Sequence, residues 1–201
     1  MILDEIAFEI PWKKVLSRLN FNNKKTKITS NVENLIDDMI DECRILANPA
    51  ASLEHFDITI VEPDAVHLAE TRFAIEGKYT AKHLDECKRV TLMVCTIGEE
   101  CTVKVGELLA AREVSKAAVL DAVASEAVEA VANKVTEVVA QQAHVAGLKL
   151  TSRYSPGYGD WPLAAQGQMF DLLDAKRIGV FLNEYSFMQP EKSISACVGW
   201  K

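Results

Sequence analysis

The chain has 201 residues and a mass of 22.2 kDa, 49% of them hydrophobic and 25% charged. Those proportions exclude a disordered or fibrous protein and suit one globular domain spanning residues 1–201. With 22 Lys and Arg against 29 Asp and Glu, the net charge is −7. That disfavours nucleic acid and anionic membrane surfaces, which recruit basic residues. No apolar run approaches the roughly 20 residues that a membrane-spanning helix requires. Asp4, Glu5 and Glu9 are foreign to a secretory signal, so the expected compartment is the cytoplasm. The five cysteines show no CxxC spacing and are expected as reduced thiols.

In chain order, residues 1–9 alternate well enough for a short strand. Pro11 then suits the first turn of a helix through Trp12, Val15, Leu16 and Leu19. The polar, cationic stretch 21–30 reads as a loop, and Ser30 as the N-cap of a second helix. Val32, Leu35, Ile36, Met39, Ile40 and Cys43 share one face of that helix, which Asn48-Pro49 ends. A half-buried strand follows at 56–61, with a partner at 71–76. Thr80 can cap a short helix through Leu84. Residues 89–96 are almost continuously apolar, which predicts a strand covered on both faces.

Ile97-Gly98 turns into a helix through Leu109. The longest element, Glu113 to Ala146, is rich in Ala and Val, with Gly147 as its stop. Its small side chains predict close packing, with Ala127 or Ala130 buried. Strands at 148–153, 178–182 and 193–198, and a helix from Leu163 to Leu173, complete an α+β pattern. There is no internal repeat and no flexible linker.

Several residues invite chemistry. His83 and Cys87 are four apart, the spacing of two ligands on a helix face, yet no second pair stands at a zinc spacing. Asp64-Ala65-Val66-His67-Leu68-Ala69 partly matches a corrinoid-ligating DxHxxG signature but lacks its glycine. In Ser155-Pro156-Gly157-Tyr158, Pro pre-sets one turn residue and Gly supplies positive φ at the next, a type II turn. That stretch is either a plain connection or a ligand loop. Arg153, Tyr154, Tyr158, Asp160 and Trp161 crowd around its glycines, offering a cation, bare backbone and aromatic rings. Glu126 and Glu129 on the Ala-rich helix mark either a solvated face or, for Glu126 among Ala124, Ala127 and Val128, a pocket-lining carboxylate.

The stretch RYSPGYGDWP (Arg153–Pro162) resembles the RxxPGY loop of the activation domain of cobalamin-dependent methionine synthase. Three further stretches resemble free-standing members of that family: His83–Glu100, Val119–Val135 and Ile178–Ser195. The resemblance spans roughly residues 70–200, with residues 1–70 less diagnostic. It implies a C-shaped α+β domain on a twisted, mainly antiparallel sheet with flanking helices.

The resemblance also implies an accessory protein that binds S-adenosylmethionine and reactivates a cobalamin-dependent methyltransferase by reductive methylation. The cobalamin would lie on a partner acting in trans, a corrinoid-binding protein or truncated methionine synthase. One electron would come from a flavodoxin-like or other donor. By position, Arg153 corresponds to the arginine meeting the ligand's carboxylate, and Ser155 and Gly157 to backbone contacts. Tyr158 corresponds to the tyrosine closing the loop, and Glu126 to an acid suited to the ligand's ammonium or sulfonium charge. Two departures stand out. A tyrosine expected near the last strand falls at Cys197 or Val198, and residues 1–30 offer no clear counterpart for an early aspartate. The alternatives are a corrinoid-protein partner that has lost the small ligand, and an unrelated methyltransferase or small-molecule sensor.

Overall fold

The computed structural model describes residues 1–21 and 28–201. Its elements in order are β1 (Ile2–Asp4), α1 (Trp12–Arg18), α2 (Ser30–Leu46), β2 (Ala50–Glu62), β3 (Ala65–Leu68), β4 (Ala74–Glu76) and α3 (Lys78–His83). They continue with β5 (Arg89–Thr96), α4 (Glu100–Ala110), α5 (Val114–Val145), α6 (Gln166–Leu173), β6 (Phe181–Leu182), β7 (Met188–Gln189) and β8 (Ser193–Trp200).

One sheet runs β4-β3-β2-β5-β8, with β1 also paired to β2, and each of these pairings is antiparallel. β5 lies between β2 and β8 and is buried from Val90 to Thr96, so the apolar run is covered on both faces as expected. Its side chains divide by the two-residue period of a strand. Met93 and Cys95 join a core formed with α1, α2, α4 and α5, while Val90, Leu92 and Val94 join a second core under α3, α6 and Trp161.

α5 is the main support of the first core. Its 32 residues contain no Gly or Pro, and Gly147, at φ 74°, ends it by donating its N–H to the His144 carbonyl. Ala117, Ala124, Ala127 and Ala132 are buried along the helix, which packs on β5 and β8 as well as on α2 and α4. Ala130 is only half-buried. Ala127→Leu is therefore expected to overpack the contact and cost about 1–3 kcal/mol. Ala130→Leu should change stability far less, a contrast that thermal melting of the two variants measures.

Several expected boundaries shift for local reasons. The first strand is confined to Ile2–Asp4, because Glu5 takes φ +50° and turns the chain out of the sheet. The loop expected over 21–30 falls largely outside the described residues. The N-cap of α2 is Thr29, with extended backbone, and Ser30 is already helical. The strand expected at 56–61 extends over Ala50–Glu62. Its hairpin partner is β3, with Glu62 opposite Ala65, so β4 pairs with β3 instead of β2. Residues 148–153 form only isolated bridges to β8, at Leu150–Trp200 and Tyr154–Cys197. Residues 150–154 advance four positions where β8 advances three, and the extra residue breaks the ladder. The strand expected at 178–182 reduces to Phe181–Leu182, since residues 175–178 form a tight helical turn ending at Gly179 with φ 73°.

Candidate functional site

The loop from Arg153 to Pro162 is a rigid double turn. Tyr158 donates its N–H to the Ser155 carbonyl at 3.2 Å and Gly157 sits at φ +88°, which is the expected type II turn. A second turn closes when Trp161 donates to the Tyr158 carbonyl at 3.1 Å, and Gly157 donates to the Trp161 carbonyl at 2.8 Å. Gly159 has φ +57° and lies against the Tyr154 hydroxyl, which donates to the Tyr158 carbonyl, so a side chain there would strike the phenol. Asp160 accepts the Tyr79 N–H at 3.1 Å, which ties the loop to the first turn of α3.

Aromatic rings anchor this loop from below and flank it above. Trp161 is fully buried, and its ring is parallel to that of Tyr154 with centroids 6.3 Å apart. His83 packs on Tyr154 itself, with ring centroids 5.5 Å apart, and donates from Nε2 to the Ser152 carbonyl at 2.8 Å. Cys87 lies elsewhere, against Gly199 of β8. Tyr158 and Tyr79 are both about 70% exposed, leaving two free ring faces beside the glycines.

Arg153 reaches from this loop to α5. Its Nη2 donates to the Glu129 carboxylate at 2.8 Å and to Asn133 Oδ1 at 2.9 Å. Glu129 and Asn133 are one helical turn apart and share a face, which explains why one guanidinium meets both. The other terminal nitrogen, Nη1, is sealed from solvent and has no hydrogen-bond partner among the described residues. Beneath the pair, burial pushes the Cys95 thiol up to about 12, leaving it a neutral, inert packing group.

Glu126 is positioned differently. It is buried, and Arg18 of α1 donates to it from Nε at 2.7 Å, pinning α1 to α5. Arg153 thus meets Glu129 and Asn133, while Glu126 faces the N-terminal segment. Spacing along α5 could not separate the two acids, because the choice depends on an arginine 108 residues away.

The same N-terminal segment and α5 enclose an open cleft of about 530 Å³, lined by Phe8, Glu9, Pro11, Ala130, Asn133, Lys134 and Glu137. Asn133 belongs both to this cleft and to the Arg153 cluster. Lys134 is paired with Glu137 at 2.9 Å, whereas Glu9 has no ion-pair partner among the described residues. Glu9 is a residue that sequence reading missed; only the fold reveals that it shares a cleft with α5. Cys197 and Val198 are both fully buried on β8 and offer no phenol to the surface. The ensemble brings together a half-buried guanidinium, carboxylates on either side, a glycine turn and two exposed aromatic faces. Such a set can hold a zwitterion carrying a planar ring.

The fold is shared with a solved structure, the crystal structure of the MetH reactivation domain bound to AdoHcy. The TM-score is 0.73 at 13% identity, over 99% of this chain and 78% of that one. No match was found among curated protein sequences. The family model for the activation domain of vitamin B12-dependent methionine synthase matches residues 6–200, and the chain belongs to that family. The match takes in most of the first 70 residues as well. Among the described residues, no helix is long and apolar enough to cross a membrane.

Proposed function

We propose that this chain binds S-adenosylmethionine beside Arg153 and supports the reductive reactivation of a cobalamin-dependent methyltransferase, in the way its family membership suggests. The cobalamin belongs to a separate corrinoid-binding partner or truncated methionine synthase on which the chain acts in trans. A flavodoxin-like or other donor supplies the electron. The observation that carries this reading is the buried, unpartnered Nη1 of Arg153. A buried donor left unsatisfied costs about 1–3 kcal/mol, and a ligand carboxylate would satisfy it once a small turn of the Arg153 side chain brings Nη1 to the surface.

In this reading the chain's own residues bind and orient. Arg153 takes the amino-acid carboxylate, the backbone of half-buried Ser155 and exposed Gly157 approaches the ligand closely, and Tyr158 covers one side of it. Glu129 and Glu9 supply negative charge for the ammonium and sulfonium. Glu126 contributes through Arg18, whose bond holds the Glu9-bearing segment against α5. The bound ligand supplies an electrophilic methyl group on sulfur, which traps the reduced corrinoid of the partner.

Titration calorimetry of the isolated chain with S-adenosylmethionine tests the reading. Saturable heat with one site per chain is expected. No heat at millimolar ligand would favour instead a corrinoid-protein partner that has lost the small ligand. That alternative draws on the fact that Arg153 already satisfies Glu129 and Asn133 without any ligand.

A further inference from the structure

Two of the five cysteines meet outside the site described above. Cys43 on α2 and Cys101 on α4 are both fully buried, and their sulfur atoms are 3.7 Å apart and hydrogen-bonded. We propose that this dithiol is a reversible redox site, closing to a Cys43–Cys101 disulfide when a hydroperoxide reaches it. The proposal is independent of any ligand at Arg153.

Geometry selects this pair. The sulfurs are already in contact, and a disulfide bond of about 2.05 Å requires only that they approach by about 1.7 Å. Rotation of two side chains and a small shift of the first turn of α4 can supply that movement. Cys101 is the second residue of an 11-residue helix, where the helix dipole favours a thiolate. The hydrogen bond with Cys43 also holds the Cys101 thiol below its ordinary value. The other thiols are disfavoured as the first nucleophile: burial raises Cys87 and pushes Cys95 and Cys197 up to about 12, and Cys43, raised by its hydrogen bond with Cys101 and by burial, serves only as the resolving thiol.

A route to Cys101 exists. Gly98, Glu100 and Thr102, which flank it in sequence, line an open cleft of about 550 Å³ at the start of α4. Fraying of that first turn exposes Cys101 before any core strand has to open. The Cys101 thiolate attacks one peroxide oxygen and the O–O bond breaks; the expelled hydroxide takes up the proton released from Cys101 and leaves as water, and Cys101 becomes a sulfenic acid. The Cys43 thiol then attacks that sulfur, and a second water leaves. In sum, two thiols and one hydrogen peroxide give one disulfide and two waters, with both electrons passing to the peroxide.

The test treats the folded, reduced protein with hydrogen peroxide and blocks the remaining thiols with N-ethylmaleimide after denaturation. Cleavage at glutamates separates Cys95 from Cys101, because Glu99 and Glu100 lie between them. The expected product is a Cys43–Cys101 cross-linked peptide, with the titratable thiols falling from five to three and dithiothreitol restoring them. In Cys43→Ser, dimedone should trap a persistent sulfenic acid on Cys101. In Cys101→Ser, Cys43 should stay unmodified. Retention of all five thiols in wild type, or cross-links spread over other pairs, would overturn the proposal. Because the wild-type map alone decides between these outcomes, a variant that fails to fold does not rescue the idea.

Discussion

Arg153→Ala is expected to weaken S-adenosylmethionine binding about 10- to 150-fold while the protein stays folded. The interaction removed is a charge-assisted hydrogen bond to a carboxylate, worth roughly 1.5–3 kcal/mol, at about 1.4 kcal/mol per tenfold in affinity. The fold survives because the partners left behind, Glu129 and Asn133, retain access to water; the Glu129 side chain is 41% exposed. Arg153→Lys should restore only part of the affinity. A lysine ammonium has three N–H donors on one atom and no planar fork, whereas the guanidinium holds Glu129 and Asn133 with one nitrogen and keeps a second for a ligand carboxylate. If Arg153 only braces the loop against α5, both variants will bind as wild type does while melting slightly earlier. Equal dissociation constants on folded protein would remove Arg153 from the site.

The largest stability effect is expected at Trp161. Its side chain is 1% exposed, packs in the second core and lies parallel to Tyr154 beneath the Arg153–Pro162 turns. Trp161→Ala should cost about 3–5 kcal/mol through lost burial and the cavity that remains. In a chain of this length that corresponds to a fall in melting temperature of roughly 6–20 °C. Trp161→Phe should cost much less. It keeps an aromatic ring in place and deletes an indole N–H that has no partner among the described residues. A loss below about 1 kcal/mol for the alanine variant would show that the indole does not support the loop.

Elements whose signal is local were legible in the sequence. β5 announces itself by an unbroken apolar run, α5 by alanine content without Gly or Pro, and the turn at Pro156-Gly157 by the φ values those two residues impose. The first half of β2 was not legible. Ser52 and Glu54 interrupt its apolar residues, and Ser52 is buried only because its hydroxyl donates to the Leu173 carbonyl, 121 residues away. The site divides along the same line. Arg153, Ser155, Gly157 and Tyr158 form one contiguous segment, the one that carries the resemblance to the family's RxxPGY loop. That Arg153 pairs with Glu129 while Glu126 pairs with Arg18, and that Glu9 shares a cleft with α5, depend on how α1 and the N-terminal segment dock on α5.

The central strand gives the molecule a mechanical unity. Alternate side chains of β5 belong to opposite cores, so neither layer can loosen without withdrawing support from a residue next door to one anchored in the other. The two layers therefore melt together in one cooperative transition, and the β5 amides are the last to exchange with solvent. A change at Trp161, beneath the Arg153–Pro162 loop, is therefore expected to speed the opening of α5 on the far side of the sheet, measured by its amide exchange. The loop and the long helix, which Arg153 joins at the surface, are coupled a second time through the interior.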